Sequence, residues 1–249
     1  MGRIKVIIPV NTNVWNRPHI EELSRCKDPR TDLTVVSLDT GSESIENGYD
    51  DAWNALPTIL EVETAEREGF DGVVLSCFGD PGLFAAKEAV SIPVVGVAEA
   101  SVHLASILGR RFGVITAGPP DAGAYMLDIF RMYEMAHKCV GVKSLGICVL
   151  GLVEDEDEEV AKFIEIAHSL MEAGAEVIVL GCTGMTKVAG EIAAGLPVPV
   201  ISPAPAALKL CEDLIALRLS HSKVGFPTPP AKSRVSQPSR RVAGGVHAK

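Results

Sequence analysis

Short apolar runs rich in Val and Ile alternate along the chain with longer stretches in which apolar residues recur at helical spacing. This alternation is typical of parallel sheets covered by helices. The pattern predicts strands at 4–10, 33–38, 72–76, 94–97, 112–116, 144–150, 177–181 and 200–201. It predicts helices most clearly at 54–68, 122–135, 155–173 and 204–217. The sequence therefore predicts an α/β fold.

An internal repeat groups the predicted strands into two sets of four. Residues 69–79 read GFDGVVLSCFG, and residues 174–184 read GAEVIVLGCTG. With one residue inserted the match continues, so that IPVVG at 92–96 aligns with VPVIS at 198–202. We therefore predict two similar α/β domains, each with a four-stranded parallel sheet flanked by helices.

The repeat also predicts where the chain crosses between the domains. A helix after Val97 can carry the chain into the second domain, and the matching helix after Ser202 can carry it back. The first domain then comprises 1–98 plus 203–221, and the inserted second domain comprises 99–202. The crossings place a hinge and a cleft between the domains.

The segment from Ser222 to Lys249 is basic, rich in Pro and free of acidic residues. It has too little apolar surface to order itself. We predict that 222–249 form a disordered tail, and that cutting the chain after Ser222 leaves stability and turnover nearly unchanged.

Charge and composition exclude several classes of partner. The formal net charge of −9 argues against nucleic acid, because binding phosphates needs a basic face. No apolar run approaches the roughly 20 residues that cross a membrane, and no signal-peptide core precedes the first strand. The cysteines include no Cys-x-x-Cys pair. Three histidines, His103, His137 and His168, lie within helical stretches, and the other three, His19, His221 and His247, lack acidic partners at metal spacing. We expect a cytoplasmic protein with reduced thiols, no metal site and no membrane partner.

Cys77 and Cys182 occupy the same point of the repeat, directly after a predicted strand. Ligands of parallel α/β sheets bind beyond the carboxyl ends of the strands. Glycines after each cysteine expose backbone N–H groups, which can bind anionic oxygen and lower the pKa of a thiol. The other four cysteines do not recur in the repeat and are interpreted as packing residues. A thiol on either side of one site can move a proton from one face of a carbon to the other.

Four motifs carry a resemblance to a known family: Pro9 to Thr12, Ser44 to Glu46, Cys77 to Gly82, and Gly181 to Met185. Together they resemble the aspartate/glutamate racemase superfamily, and within it the hydantoin and allantoin racemases, over roughly residues 4–217. The resemblance implies two α/β domains related by a pseudo-twofold axis and racemisation without a cofactor. It implies that Cys77 and Cys182 are catalytic, one as the thiolate that removes a proton and the other as the thiol that returns one. Their sulfurs should lie about 7–8 Å apart, each roughly 3–4 Å from one planar carbon.

The resemblance also indicates a substrate class. Amino-acid racemases of the superfamily commonly carry His where this chain has Gly184, which leaves more room and less acid or base assistance. A hydantoin or allantoin ring already acidifies its C–H, so two thiols suffice. The candidate substrate-binding residues are Asn11, Phe78, Gly79, Thr116, Thr183 and Gly184, although Asn11 can be a turn residue and Phe78 a core aromatic. The loop 117–121 departs from the usual pattern of hydantoin racemases and leaves the ring substituent open.

Other functions fit the same pattern. Amino-acid racemases and maleate-type cis–trans isomerases resemble this sequence too. Arylmalonate decarboxylases also resemble it, but they keep one cysteine, so two thiols count against that function. A non-catalytic protein that closes its domains on a small ligand is a third reading. In each case the partner is a small molecule, and we expect a homo-oligomer.

Overall fold

The structure is a computed structural model, and it describes residues 2–153, 157–186 and 188–234. Its described strands form two parallel sheets of four strands each, as the repeat predicts. The first sheet has the order β2-β1-β3-β4, with β1 at Arg3–Ile8, β2 at Asp32–Ser37, β3 at Gly72–Leu75 and β4 at Val94–Gly96. The second has the order β6-β5-β7-β8, with β5 at Phe112–Thr116, β6 at Cys139–Ser144, β7 at Val177–Leu180 and β8 at Val200–Ile201.

Helices connect the strands within each sheet and between the sheets. They are α1 Asn16–Cys26, α2 Gly48–Arg67, α3 Leu83–Ala89, α4 Val97–Leu108, α5 Ala122–Met132, α6 Asp157–Glu172, α7 Ala189–Gly195 and α8 Pro203–Leu217. Short 3₁₀ turns lie at Ala136–Lys138, Val149–Val153 and Thr183–Thr186. The α/β fold class is confirmed.

Helix α2 begins six residues before its predicted start at Asn54. Its cap is Asn47, whose side chain accepts hydrogen bonds from the backbone N–H groups of Tyr49 and Asp50. None of residues 48–53 is buried, and Tyr49 and Trp53 lie in solvent, so no core-facing pattern marks this start of the helix. The cap matters for the site because it fixes where Glu46 and Asp51 lie.

The prediction of a strand at 144–150 is wrong. The sixth strand ends at Ser144, and Gly146 has a φ of +71°, which an extended strand does not allow. The apolar residues that follow serve other purposes: Leu145 is buried in the core of the second sheet, and Val149 lines the cavity between the sheets. Because these loop residues are apolar and face the interior, the sequence of the loop has the same apolar pattern as a buried strand.

The two sheets exchange helices. Helix α4 follows β4 and packs on β5 and β7 of the second sheet, whereas α8 follows β8 and packs on β3 and β4 of the first. The helices α4 and α8 also pack against each other. These contacts agree with two chain crossings, while the residue boundaries of the two domains stay a prediction.

The start of the predicted tail needs correction. Lys223 Nζ donates hydrogen bonds to the carbonyls of Lys87, Glu88 and Val90 at 2.6–2.9 Å, where α3 ends. Phe226 packs on Phe84 with ring centroids 6.0 Å apart. Residues 222–226 are therefore ordered against the first sheet's helices, because a cation suits a helix C-terminus. Residues 235–249 lie outside the described part of the chain.

This attachment reverses the expected effect of truncation. Cutting after Ser222 removes the Lys223 and Phe226 contacts and should lower the free energy of unfolding by about 1–2 kcal/mol. Cutting after Arg234 keeps both contacts and serves as the matched control. Thermal unfolding of the three forms measures the effect, and equal midpoints for the Ser222 truncation and the full chain would contradict it.

Candidate active site

One cavity lies between the carboxyl ends of the two sheets, and both repeat cysteines line it. Cys77 lies two residues after β3 ends at Leu75, and Cys182 lies two residues after β7 ends at Leu180. The space for the centres of water-sized groups is about 50 Å³. Because one water needs roughly 10–15 Å³ by this measure, the cavity suits a few heavy atoms in a compact ring.

The surroundings of the two thiols repeat as the sequence does. The N–H of Gly79 points at Cys77 Sγ over 3.4 Å, and the N–H of Gly184 points at Cys182 Sγ over the same distance. Neither glycine has room for a side chain, since an added Cβ would lie 2.6 Å from the Tyr125 hydroxyl at Gly79 and 3.1 Å from the Trp15 ring at Gly184. The separation of the two sulfurs stays a prediction.

The expected lowering of the thiol pKa values is not found. Burial raises the pKa of Cys182 to about 11, although the N–H of Gly184 acts in the opposite direction. Burial also raises the pKa of Cys77 well above its usual range, and the negative charge of Asp51 adds to this shift. Burial therefore favours the protonated form of both thiols, and a thiolate formed here is a stronger base than free cysteine.

The hydroxyls of the two candidate threonines are already engaged. Thr183 Oγ1 donates to the carbonyl of Ser76 over 3.2 Å, which joins the two cysteine loops. Thr116 Oγ1 donates to the carbonyl of Gly181 over 3.1 Å, which joins the ends of β5 and β7. Both residues line the cavity, and their hydrogen bonds hold its two walls in place.

Phe78 lines the cavity and is also a core residue. It is 3% exposed and packs edge-on against Phe130 with ring centroids 6.2 Å apart. Its interpretation as a core aromatic is therefore confirmed, and its role in substrate binding stays a prediction.

The structure does not bring Asn11 to the site. Its side chain is exposed, donates to the carbonyl of Gly41 over 2.9 Å and faces a separate surface pocket. The reason is that β1 ends at Ile8, and the chain has already turned at Val10 when it reaches Asn11. The turn interpretation of Asn11 is the better one.

Several cavity residues were not found as candidates from the sequence. Ser76 is buried, and its hydroxyl has no partner among the described residues. Glu46 Oε1 accepts a hydrogen bond from the N–H of Val149 over 3.3 Å and so links the two domains across the cavity. Tyr125 enters from α5, where its position has the same periodicity as the core residues of that helix. Of these, only Glu46 had a signal, as part of a recognised motif.

The described residues offer no group of three or more His, Cys, Asp or Glu side chains that could hold a metal ion. Among the same residues, no helix is both long and apolar enough to cross a membrane.

Comparisons with known proteins agree with these features. The family described as Asp/Glu/Hydantoin racemase matches residues 6–211. A hydantoin racemase of Paenarthrobacter aurescens is 33% identical over 234 residues, which are 93% of this chain and 99% of that protein. A hydantoin racemase of Pseudomonas sp. (strain NS671) is 35% identical over 224 residues, which are 89% of each chain. The structure of an allantoin racemase from Klebsiella pneumoniae superimposes with a TM-score of 0.89 at 32% identity, covering 95% of this chain and 97% of that one.

Proposed function

Because the chain belongs to the Asp/Glu/hydantoin racemase family and is a racemase-type isomerase, we propose that it inverts a carbon of a cyclic ureide with two cysteines and no cofactor. The observation that carries the proposal is the pair of thiols in one cavity, each 3.4 Å from the N–H of the glycine two residues later. Two sites of equal construction on opposite domains are what an inversion needs, since its forward and reverse steps are mirror images.

In the proposed reaction, one cysteine begins as a thiolate and the other as a thiol. The thiolate takes the proton from the substrate carbon, and the electron pair moves onto the neighbouring ring carbonyl. The second thiol then gives its proton to the opposite face of the planar carbon. The two cysteines exchange roles for the other enantiomer.

The raised thiol pKa values fit this chemistry in one respect and restrict it in another. Proton transfer from a weak acid such as a ring C–H becomes faster as the base becomes stronger. A desolvated thiolate of raised pKa is therefore a better match than an exposed one. The restriction is that the same burial disfavours formation of the reactive thiolate at neutral pH.

The cavity favours a neutral ring over an amino acid. No Lys or Arg is among its lining residues in the described part of the chain, so an α-carboxylate would lack an ion-pair partner there. Ring carbonyls and N–H groups can instead use the buried Ser76 hydroxyl and the backbone near Phe78. At Gly184 the place of a side chain is taken by the ring of Trp15, 3.1 Å from where a Cβ would lie.

The experiment is a chiral analysis. Single enantiomers of 5-methylhydantoin, 5-benzylhydantoin and allantoin are incubated with the protein, beside L-aspartate and L-glutamate. We expect loss of optical purity with at least one ureide and none with the amino acids. Racemisation of an amino acid alone would reject the ureide assignment.

The main alternative is a cis–trans isomerase on the same scaffold. Incubation with maleate distinguishes it, because that function predicts fumarate and the proposed one predicts no reaction. Unchanged ureides together with fumarate would replace the proposed function with the alternative.

A further inference from the structure

A second cavity adjoins the proposed substrate cavity. Gly79 and Tyr125 line both, and Asp51 lines the second. By the same measure its space is about 280 Å³, more than in the first cavity. Phe84 and Met132, 39% and 57% exposed, stand at its edge, so this cavity opens to the surface.

Two buried polar atoms occupy the boundary between the cavities. Asp51 Oδ1 and the Tyr125 hydroxyl have no well-formed hydrogen bond among the described residues. The hydroxyl nevertheless lies near enough to Asp51 to lower the pKa of its carboxyl, against the larger effect of burial. Both converge on Gly79: an added Cβ there would lie 2.6 Å from the hydroxyl, 2.9 Å from Asp51 Oδ1 and 3.7 Å from Cys77 Sγ. A thiol, a hydroxyl and a carboxyl thus meet around one glycine. Buried polar atoms that lack a well-formed hydrogen bond are rare in folded proteins, which points to a function for these two.

The proposed reaction creates a need that this group can meet. Each inversion in one direction leaves the first cysteine protonated and the second ionised. Before the same enantiomer can react again, one thiol must lose a proton and the other must gain one. The substrate cavity is small and largely apolar, whereas the second cavity has room for water.

We propose that Asp51 and Tyr125 carry the proton of Cys77 between the thiol and the second cavity. This inference rests on the proposed function. When Cys77 must be ionised, its S–H proton passes to the Tyr125 oxygen while the Tyr125 proton passes to the Asp51 carboxylate, and Asp51 then releases a proton to water. Cys182 takes up one proton from water, so charge and protons balance. The reverse sequence protonates Cys77.

The position of Asp51 supports this role. Burial raises the pKa of Asp51. Its carboxylate is therefore a stronger base than an exposed one and is better able to accept a proton that comes from a thiol. Asp128 lines the same cavity, but it is exposed and pairs with Arg131 on its own helix. Asp128 is therefore a matched control: an acid of the same cavity that is not on the path.

The test compares two rates in Asp51→Asn, Tyr125→Phe, Asp128→Asn and the unaltered protein. The first is net racemisation from a saturating pure enantiomer, with the ureide of the panel above that reacts fastest. The second is conversion of a ¹³C-labelled enantiomer into the other within a racemic mixture. In the mixture both enantiomers are present, so whichever cysteine is ionised after one turnover can react with the next substrate molecule. The thiols then need not exchange protons with water between turnovers.

For Asp51→Asn we expect the first rate to fall about tenfold and the second to stay nearly unchanged. Asp128→Asn should change neither rate. Tyr125→Phe breaks the path at its middle and should repeat the Asp51→Asn result, which keeps the test valid if Asp51→Asn does not fold. A parallel fall of both rates in Asp51→Asn would mean that Asp51 only maintains the shape of the site, and no fall would mean that the proton leaves by another route; either result overturns the proposal. An unaltered protein that racemises no ureide would instead reject the function on which it rests.

Discussion

Replacing Cys77 or Cys182 with Ser is expected to lower the rate of ureide racemisation by about 10³-fold or more. A hydroxyl is a far weaker acid than a thiol, so each variant lacks either the base or the acid that inversion needs. Loss of optical rotation from a single enantiomer measures the rate.

Cys26→Ser is the control for this prediction. Cys26 ends α1, is partly buried and is not among the residues that line the cavity, and its thiol donates to the carbonyl of Leu23 over 3.5 Å. Its replacement should leave the racemisation rate nearly unchanged. A rate near that of the unaltered protein in Cys77→Ser or Cys182→Ser would show that the cysteine replaced is structural.

Replacing Gly96 with Ala is expected to lower the free energy of unfolding by about 3 kcal/mol or more. An added Cβ would lie 2.4 Å from the Asp80 carboxyl. That carboxyl accepts hydrogen bonds from the Tyr133 hydroxyl at 2.7 Å and from the N–H groups of Ala98 and Glu99 at 3.2 and 2.9 Å. Asp80 thus caps α4 in place of Gly96, which has no side chain, and the clash would break this network.

Denaturant unfolding of Gly96→Ala and of Gly190→Ala checks the expectation. Gly190 lies in α7, and none of the described residues has an atom within 4 Å of an added Cβ there, so Ala should be neutral or stabilising by about 0.5–1 kcal/mol. The backbone of Gly96 has a φ of −83°, which Ala adopts freely, so a loss confined to Gly96→Ala reports the contact with Asp80. Equal stability of the two variants would contradict this account of the cap.

The strands and the two cysteines could be predicted because they depend on short-range pattern and on the repeat. Burial of a strand on both faces requires continuous apolar residues, and the repeat fixed which turn followed each strand. The prediction of a strand at 144–150 was wrong because a buried loop, such as that at Leu145, needs the same apolar residues as a buried strand.

The parts of the site that could not be predicted depend on long-range contacts. Burial between the two domains raises the pKa of Cys182, whereas the neighbouring residues in the sequence indicate only the glycine N–H, which lowers it. Asp51 and Tyr125 come from separate helices whose periodicity reports packing and not which atoms meet at Gly79. Lys223 was assigned to the disordered tail from the local composition. Its three carbonyl partners lie at the end of α3, far away in the sequence, so no local pattern indicates them.

In the proposed mechanism each cysteine serves one face of the substrate carbon. Proton NMR in deuterated water, with each enantiomer in turn, tests it in the Cys77→Ser and Cys182→Ser variants. Each variant should replace the substrate's C–H with deuterium in one enantiomer only, without inversion, and the enantiomer should differ between the two variants. Exchange of both enantiomers by one variant, or inversion by either at near the unaltered rate, would contradict the two-cysteine mechanism.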